Sequence, residues 1–206
     1  MKKLLVILFS FFLLSSPSVF AEDISDFSIE GMSIGDSLLD YMTEEKILEK
    51  IEKNKGRFQY LNEPNKYIQI SLIKNLGIYD RVIIFIKNNS SNLYISDKNE
   101  KYTILSITGA IDFIKDHDGC IQKRDEIKAI VSNMFPGIDN WEGKSNYRSD
   151  PSGESFLEVI EFLFPSGAEI ELQCLNIEES FRIQKNWAEG LRIVIDTKEI
   201  IEWLNN

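Results

Sequence analysis

Apolar residues recur along this chain at two spacings. Every second position is apolar, or nearly so, in YIQISLI (67–73), YDRVIIFIK (79–87), KYTILSIT (101–108), SFLEVIEFLF (155–164), AEIELQC (168–174) and GLRIVID (190–196). That is the period of strands with one face on a core. Helical spacing governs other stretches. Ser33 opens one such run, with Ile34, Leu38 and Tyr41 or Met42 on one face and Asp36 as an acidic capping-box partner. Thr43 introduces TEEKILEKIEK, where Ile47, Leu48 and Ile51 form the buried stripe. KRDEIKAIVSNMF (123–135) places Ile127, Ile130 and Val131 together and stops at Pro136-Gly137. AIDFIKD (110–116) and the final KEIIEWLNN predict two shorter helices. Asn75 to Gly77, NNSSN and Pro165-Ser166-Gly167 supply the turns.

The order helix, three strands, helix occurs twice. VIIFI at 82–86 aligns with VIEFL at 159–163, and AIDFIKD at 110–116 with IIEWLNN at 200–206. The expected fold class is therefore α+β: two related helix–three-strand–helix halves, residues 22–117 and 118–206, with helices on one face of an antiparallel sheet. The same pattern also fits one compact domain.

Residues 1–21 stand apart. MKK, the apolar LLVILFSFFLL and the small-residue end SSPSVFA have the layout of a secretory signal peptide cleaved after Ala21. Its apolar core is too short to span a bilayer. The expectation is a periplasmic or secreted protein with no membrane insertion once the leader is removed. The full chain carries −10. Its leader holds two lysines and no acid, so the remainder carries −12. That charge repels nucleic acid and anionic lipid, and neither is expected as a partner.

Cys120 and Cys174 are the only cysteines. In an exported chain they are expected to form a disulfide, because no C-x-x-C spacing suggests redox chemistry. Cys174 shares the apolar side of its strand with Ala168, Ile170 and Leu172, so its sulfur should point into the core.

GMSIG (31–35) spells the G-x-S-x-G of a serine nucleophile elbow. That elbow needs a strand before it, an oxyanion loop upstream, and an acid and a histidine downstream. Ser33 lies twelve residues past the expected cleavage point, which leaves no room for them. The only histidine, His117, sits in KDHDGC between two aspartates, as an exposed loop residue would. Ser33 is read as a helix cap between two turning glycines.

One histidine and two paired cysteines exclude a zinc site. DHDG resembles part of a calcium loop, but Ile114 stands where the first ligand belongs, and a turn explains the stretch. No phosphate-binding glycine loop, dinucleotide fingerprint or haem motif is present, and no cofactor is expected. Asn88-Asn89-Ser90 matches a glycosylation acceptor, relevant only on a eukaryotic secretory route. Among the carboxylates, Glu169 and Glu171 occupy the polar side of a strand. Glu161 shares a strand side with Leu157, Val159 and Leu163 and has Arg192 as a possible ion-pair partner. Trp203 reads as core. Trp141, Tyr147 and Arg148, in a long polar loop, are the candidate contact residues for a partner.

FSIEGMSIGDSLLDYMTEEKI (27–47) resembles the opening of a group of small exported bacterial proteins of unknown function. That resemblance implies no activity. More distantly, Gly31-Met32-Ser33 leading into helix and strands is similar to the periplasmic adaptor domains of outer-membrane assembly lipoproteins, and to tandem helix-plus-sheet repeats of the β-lactamase-inhibitor-protein-like fold. Those resemblances imply a protein-binding role with a sheet surface as platform, although the lipidated cysteine of the lipoproteins is missing here. The expected function is a non-catalytic binding module for a protein or envelope component. The alternative is a hydrolase of an envelope polymer, whose mark would be two close carboxylates in a cleft, one with a raised pKa.

Overall fold

The computed structural model describes residues 23–72, 76–88 and 98–206. The expected leader and the NNSSN turn beyond Asn88, with Asn89 and Ser90 of the glycosylation motif, lie outside the described residues.

Seven strands form one sheet: β1 (Tyr67–Leu72), β2 (Arg81–Lys87), β3 (Ile104–Asp112), β4 (Asn140–Asn146), β5 (Phe156–Leu163), β6 (Glu169–Asn176) and β7 (Gly190–Asp196). Four α-helices accompany them among the described residues: α1 (Glu44–Asn54), α2 (His117–Met134), α3 (Glu179–Lys185) and α4 (Lys198–Leu204). The strand order is β1-β2-β3-β7-β6-β5-β4, and every neighbouring pair is antiparallel. The fold is α+β with an antiparallel sheet, as the periodicities predict.

A half-turn about an axis normal to the sheet, between β3 and β7, carries the order and direction of β1, β2 and β3 onto β5, β6 and β7. α1 and α2 precede these sets and pack on the same face. The symmetry is one of strand order and direction alone, and β4 has no counterpart beside β1. The matching peptides, however, do not correspond. VIIFI lies in β2 and VIEFL in β5, which the half-turn does not superpose. AIDFIKD is not a helix at all, because β3 runs to Asp112, with Ala110 paired to Arg81 on one side and Arg192 on the other. Two ladders override the helical pattern of so short a stretch.

Alternation along the strands builds the main core. Val82, Ile84 and Ile86 of β2, Ile160 and Phe162 of β5, Ile170 and Leu172 of β6, and Ile193 and Ile195 of β7 all turn to one side. There they meet Ile47 of α1 and Ile127 and Val131 of α2. Each such side chain contributes about 1.5–3 kcal/mol on burial. Cys120 of α2 and Cys174 of β6 are joined on this side with their Cα atoms 5.9 Å apart, clamping helix to sheet.

The segment opening at Phe27 also enters this core, through Ile29, Met32, Ile34 and Leu38, but not as a helix. Gly31 and Gly35 hold φ of 76° and 90°, in the left-handed region that favours glycine. Two such residues four apart break any helix, so a single turn of 3-10 helix at Leu38–Asp40 is all that forms. Ser33 caps nothing with its hydroxyl. Its backbone N–H donates to the Asp36 carboxylate at 2.8 Å, and the Tyr41 hydroxyl donates to the same oxygen at 2.5 Å. No strand–serine–helix elbow exists there.

Four further elements differ from expectation. α2 begins at His117, where the Asp116 side chain caps the N–H of Gly119 at 3.0 Å. DHDG is thus a helix start rather than a loop, and His117 packs edge-to-face on Phe156 with ring centroids 5.1 Å apart. The stretch after Gly137 is strand β4, invisible to periodicity because both of its sides are polar. α3 is a short helix of about two turns, its start fastened by the Glu178 carboxylate, which accepts the N–H groups of Ser180 and Phe181. Finally, the helices do not share one face: α4 packs on the other, where Ile200 and Trp203 meet Tyr67 and Leu105.

Candidate functional site

The sheet face turned away from α1 and α2 is covered at two places. Over β1–β3, the indole of Trp203 lies edge-on to Tyr67 at 5.0 Å and to Phe58 at 5.5 Å, with its N–H donating to the carbonyl of Asn62 at 2.8 Å. Over the far ends of β5 and β6, Trp187 lies edge-on to Phe181 at 5.4 Å and to Tyr147 at 5.7 Å. Between these aromatic groups the face is uncovered and forms a half-open cleft of about 430 Å³. Clefts of that size accommodate small molecules or the end of a chain.

Strand register fixes the floor. Arg81, Ala110, Arg192 and Gln173 lie in one row across β2, β3, β7 and β6. Ile83, Thr108 and Val194 form the adjoining row. Phe85 and Gln69 close one side, and Tyr147, Asn186, Trp187 and Ala188 the other. Asn186 is positioned by its left-handed conformation at the end of α3, φ 51°. Tyr147 is held by the turn that follows it, in which the Asp150 carboxylate accepts the Ser155 hydroxyl at 2.6 Å and the Ser155 N–H at 3.0 Å. The Ser155 hydroxyl is the first cause of the Asp150 carboxyl falling to about 2.

Arg192 is the cation of this floor. Burial pulls its pKa down, while the Tyr147 hydroxyl, within hydrogen-bonding reach, favours the charged form. Arg81 is neutralised by Asp112, Nη2 to Oδ1 3.0 Å. No carboxylate of the described residues comes within 4.0 Å of Arg192. The ion pair with Glu161 is absent, because Glu161 faces Glu171 across β5 and β6.

A group of carboxylates lies beside the cleft but does not line it. Glu161 faces Glu171, and Glu169 faces Asp196. Burial, then Glu171, Asp196 and Glu161, push Glu169 up to about 7. Burial pushes Asp196 up to about 6 and raises Glu171 against its hydrogen bond from Gln173. Burial and mutual repulsion thus favour the protonated forms of Glu169, Glu171 and Asp196. Among the described residues no group of three or more acidic, histidine or cysteine side chains is arranged to hold a metal ion.

Of the contact residues expected from sequence, Tyr147 lines the cleft. Trp141 lies on the edge strand β4, 60% exposed, its ring folded across Gly143. Arg148 is exposed just beyond Tyr147 and outside the cleft. Sequence reasoning missed Arg192, Gln173, Arg81 and Trp187. A signal was there: an arginine in the middle of GLRIVID, a strand apolar enough to be central, requires a special environment. No family model, curated protein or solved structure matches the chain.

Proposed function

We propose that the protein is an exported, non-catalytic binding module that seats a partner protein or envelope component on the uncovered face of its sheet. The observation that carries this reading is Arg192, a partly desolvated guanidinium at the floor of the cleft that makes no ion pair of its own and feels Asp112 only at longer range. A buried charge is costly unless it is paired. A bound anionic group would complete Arg192. The export expectation rests on the leader, and the disulfide is consistent with an oxidising compartment.

The test is a photo-crosslinking amino acid placed at Ile83, in the cleft, and separately at Ile130, exposed on α2. Capture of one partner from position 83 and not from 130, in the cells that make the protein, supports the reading. Equal capture from both positions, or from neither, refutes it.

The second reading is a carboxylate-dependent hydrolase, favoured by the raised Glu169 carboxyl. Against it, none of the four clustered carboxylates lines the cleft. Release of reducing ends or peptides from purified envelope polymer, lost in Glu169→Gln, would favour it.

A further inference from the structure

We infer that the anchor of the partner is a single carboxylate at the C-terminus of a peptide, received by Arg192 with its last amides on Gln173 and Asn186 and its last side chain against Ile83, Val194 and Phe85. This rests on the binding reading above and names the chemistry of that site.

Three observations converge on it. The first is charge. The floor row holds two guanidiniums and one carboxylate, Asp112, which pairs with Arg81 at 3.0 Å and reaches Arg192 only at longer range, so Arg192 has room for one anionic group. A second negative charge is disfavoured by Glu171, one row along β6 from Gln173, and by Glu161 opposite it on β5. The chain's net −10 adds a long-range field against polyanions. Phosphorylated or nucleic-acid ligands are therefore a poor match, and a monoanion a good one.

The second is hydrogen-bonding capacity. Gln69, Gln173 and Asn186 bring three carboxamides to the cleft. Each both donates and accepts, as peptide groups do. A simple organic acid has no use for three such groups, whereas the last two residues of a peptide have N–H and C=O groups to pair with them. Gln173 already donates its amide to Glu171, which leaves its carbonyl oxygen to accept an N–H.

The third is shape. The cleft is half-open and lies between two aromatic groups, so a chain can enter from the solvent and end inside it. Ile83, Val194 and Phe85 give its floor an apolar half for one side chain, while Arg192 and the amides form the polar half. Tyr147 is the positioning residue of this proposal: its hydroxyl lies within hydrogen-bonding reach of the Arg192 guanidinium and favours its charged form.

The experiment uses the full mature protein and an array of hexapeptides carrying each of the twenty amino acids at a free C-terminus, each paired with its C-terminally amidated twin. Affinity is read by fluorescence anisotropy. The expected result is that peptides ending in an apolar residue bind, and that amidation weakens them at least tenfold, the scale of a lost charge-assisted hydrogen-bond pair. Arg192→Gln should reduce binding of the acid to that of the amide, and Tyr147→Phe should weaken the acid alone. Equal binding of acid and amide would overturn the carboxylate anchor and leave the platform reading standing. Benzoate binding as tightly as the best peptide would overturn the peptide. No peptide bound, while the crosslinker at Ile83 still captures a partner, would sink this inference alone.

Discussion

Glu169 and Asp196 face each other across the β6–β7 ladder, two carboxylates on the side of the sheet away from α1 and α2. Asp196 Oδ1 is buried and has no hydrogen-bond partner among the described residues. Protonation removes a charge that neither burial nor its neighbours tolerate.

That pair sets the pH dependence of stability. Glu169 at about 7 and Asp196 at about 6 hold their protons more tightly folded than unfolded. Their contribution is complete below the ordinary carboxylate range and is lost as pH rises through these values. Glu30, Glu158 and Asp150 are shifted downward, the last to about 2, so their contribution is lost as pH falls below about 4. The melting temperature should therefore be highest near pH 5 and fall toward pH 7.5. Glu169→Gln should flatten the upper limb. An unchanged slope between pH 5 and 7.5 in that variant would refute the assignment.

The disulfide closes a sequence separation of 54. On the chain-entropy model it stabilises the fold by about 4 kcal/mol, less any strain. A Cys120→Ser, Cys174→Ser double variant should lose a large part of that in urea unfolding while keeping its far-ultraviolet spectrum.

Trp203 is 4% exposed and joins α4 to the sheet through Tyr67 and Phe58. Trp203→Ala should cost about 3–5 kcal/mol. Trp203→Phe keeps the packing but not the hydrogen bond to Asn62, and should cost about 1–3 kcal/mol. Chemical denaturation of the two variants separates the terms.

A Cβ added at Gly143 would run into the indole of Trp141. Because the ring is the free end of an exposed side chain, Gly143→Ala should swing it off β4 at a cost under about 1 kcal/mol. Tryptophan near-ultraviolet circular dichroism should change while the melting temperature barely moves.

What the sequence made legible follows from which residues have a buried side. GLRIVID became β7 with its expected limits, because Leu191, Ile193 and Ile195 alternate and Gly190 opens the strand. β4 was illegible for the opposite reason: NWEGKSN has no buried side, and only pairing with β5 makes it a strand. The helix expected from Ser33 failed to Gly31 and Gly35, whose backbone conformation outweighs a helical spacing of apolar residues. The cleft itself was hidden. Arg192 owes its environment to Arg81, Ala110, Tyr147 and Gln173, which are brought beside it only by strand register. Tyr147 alone among the expected contact residues enters the cleft.

The strand at the centre of the sheet is the last one in chain order. While a nascent polypeptide still lacks residues 190–196, β3 and β6 have no common neighbour and both present raw edges. The two edges cannot join until β7 arrives, so the sheet closes only near the end of the chain's synthesis. A stop between Asn176 and Gly190 yields two sticky half-sheets, prey for proteases and for each other.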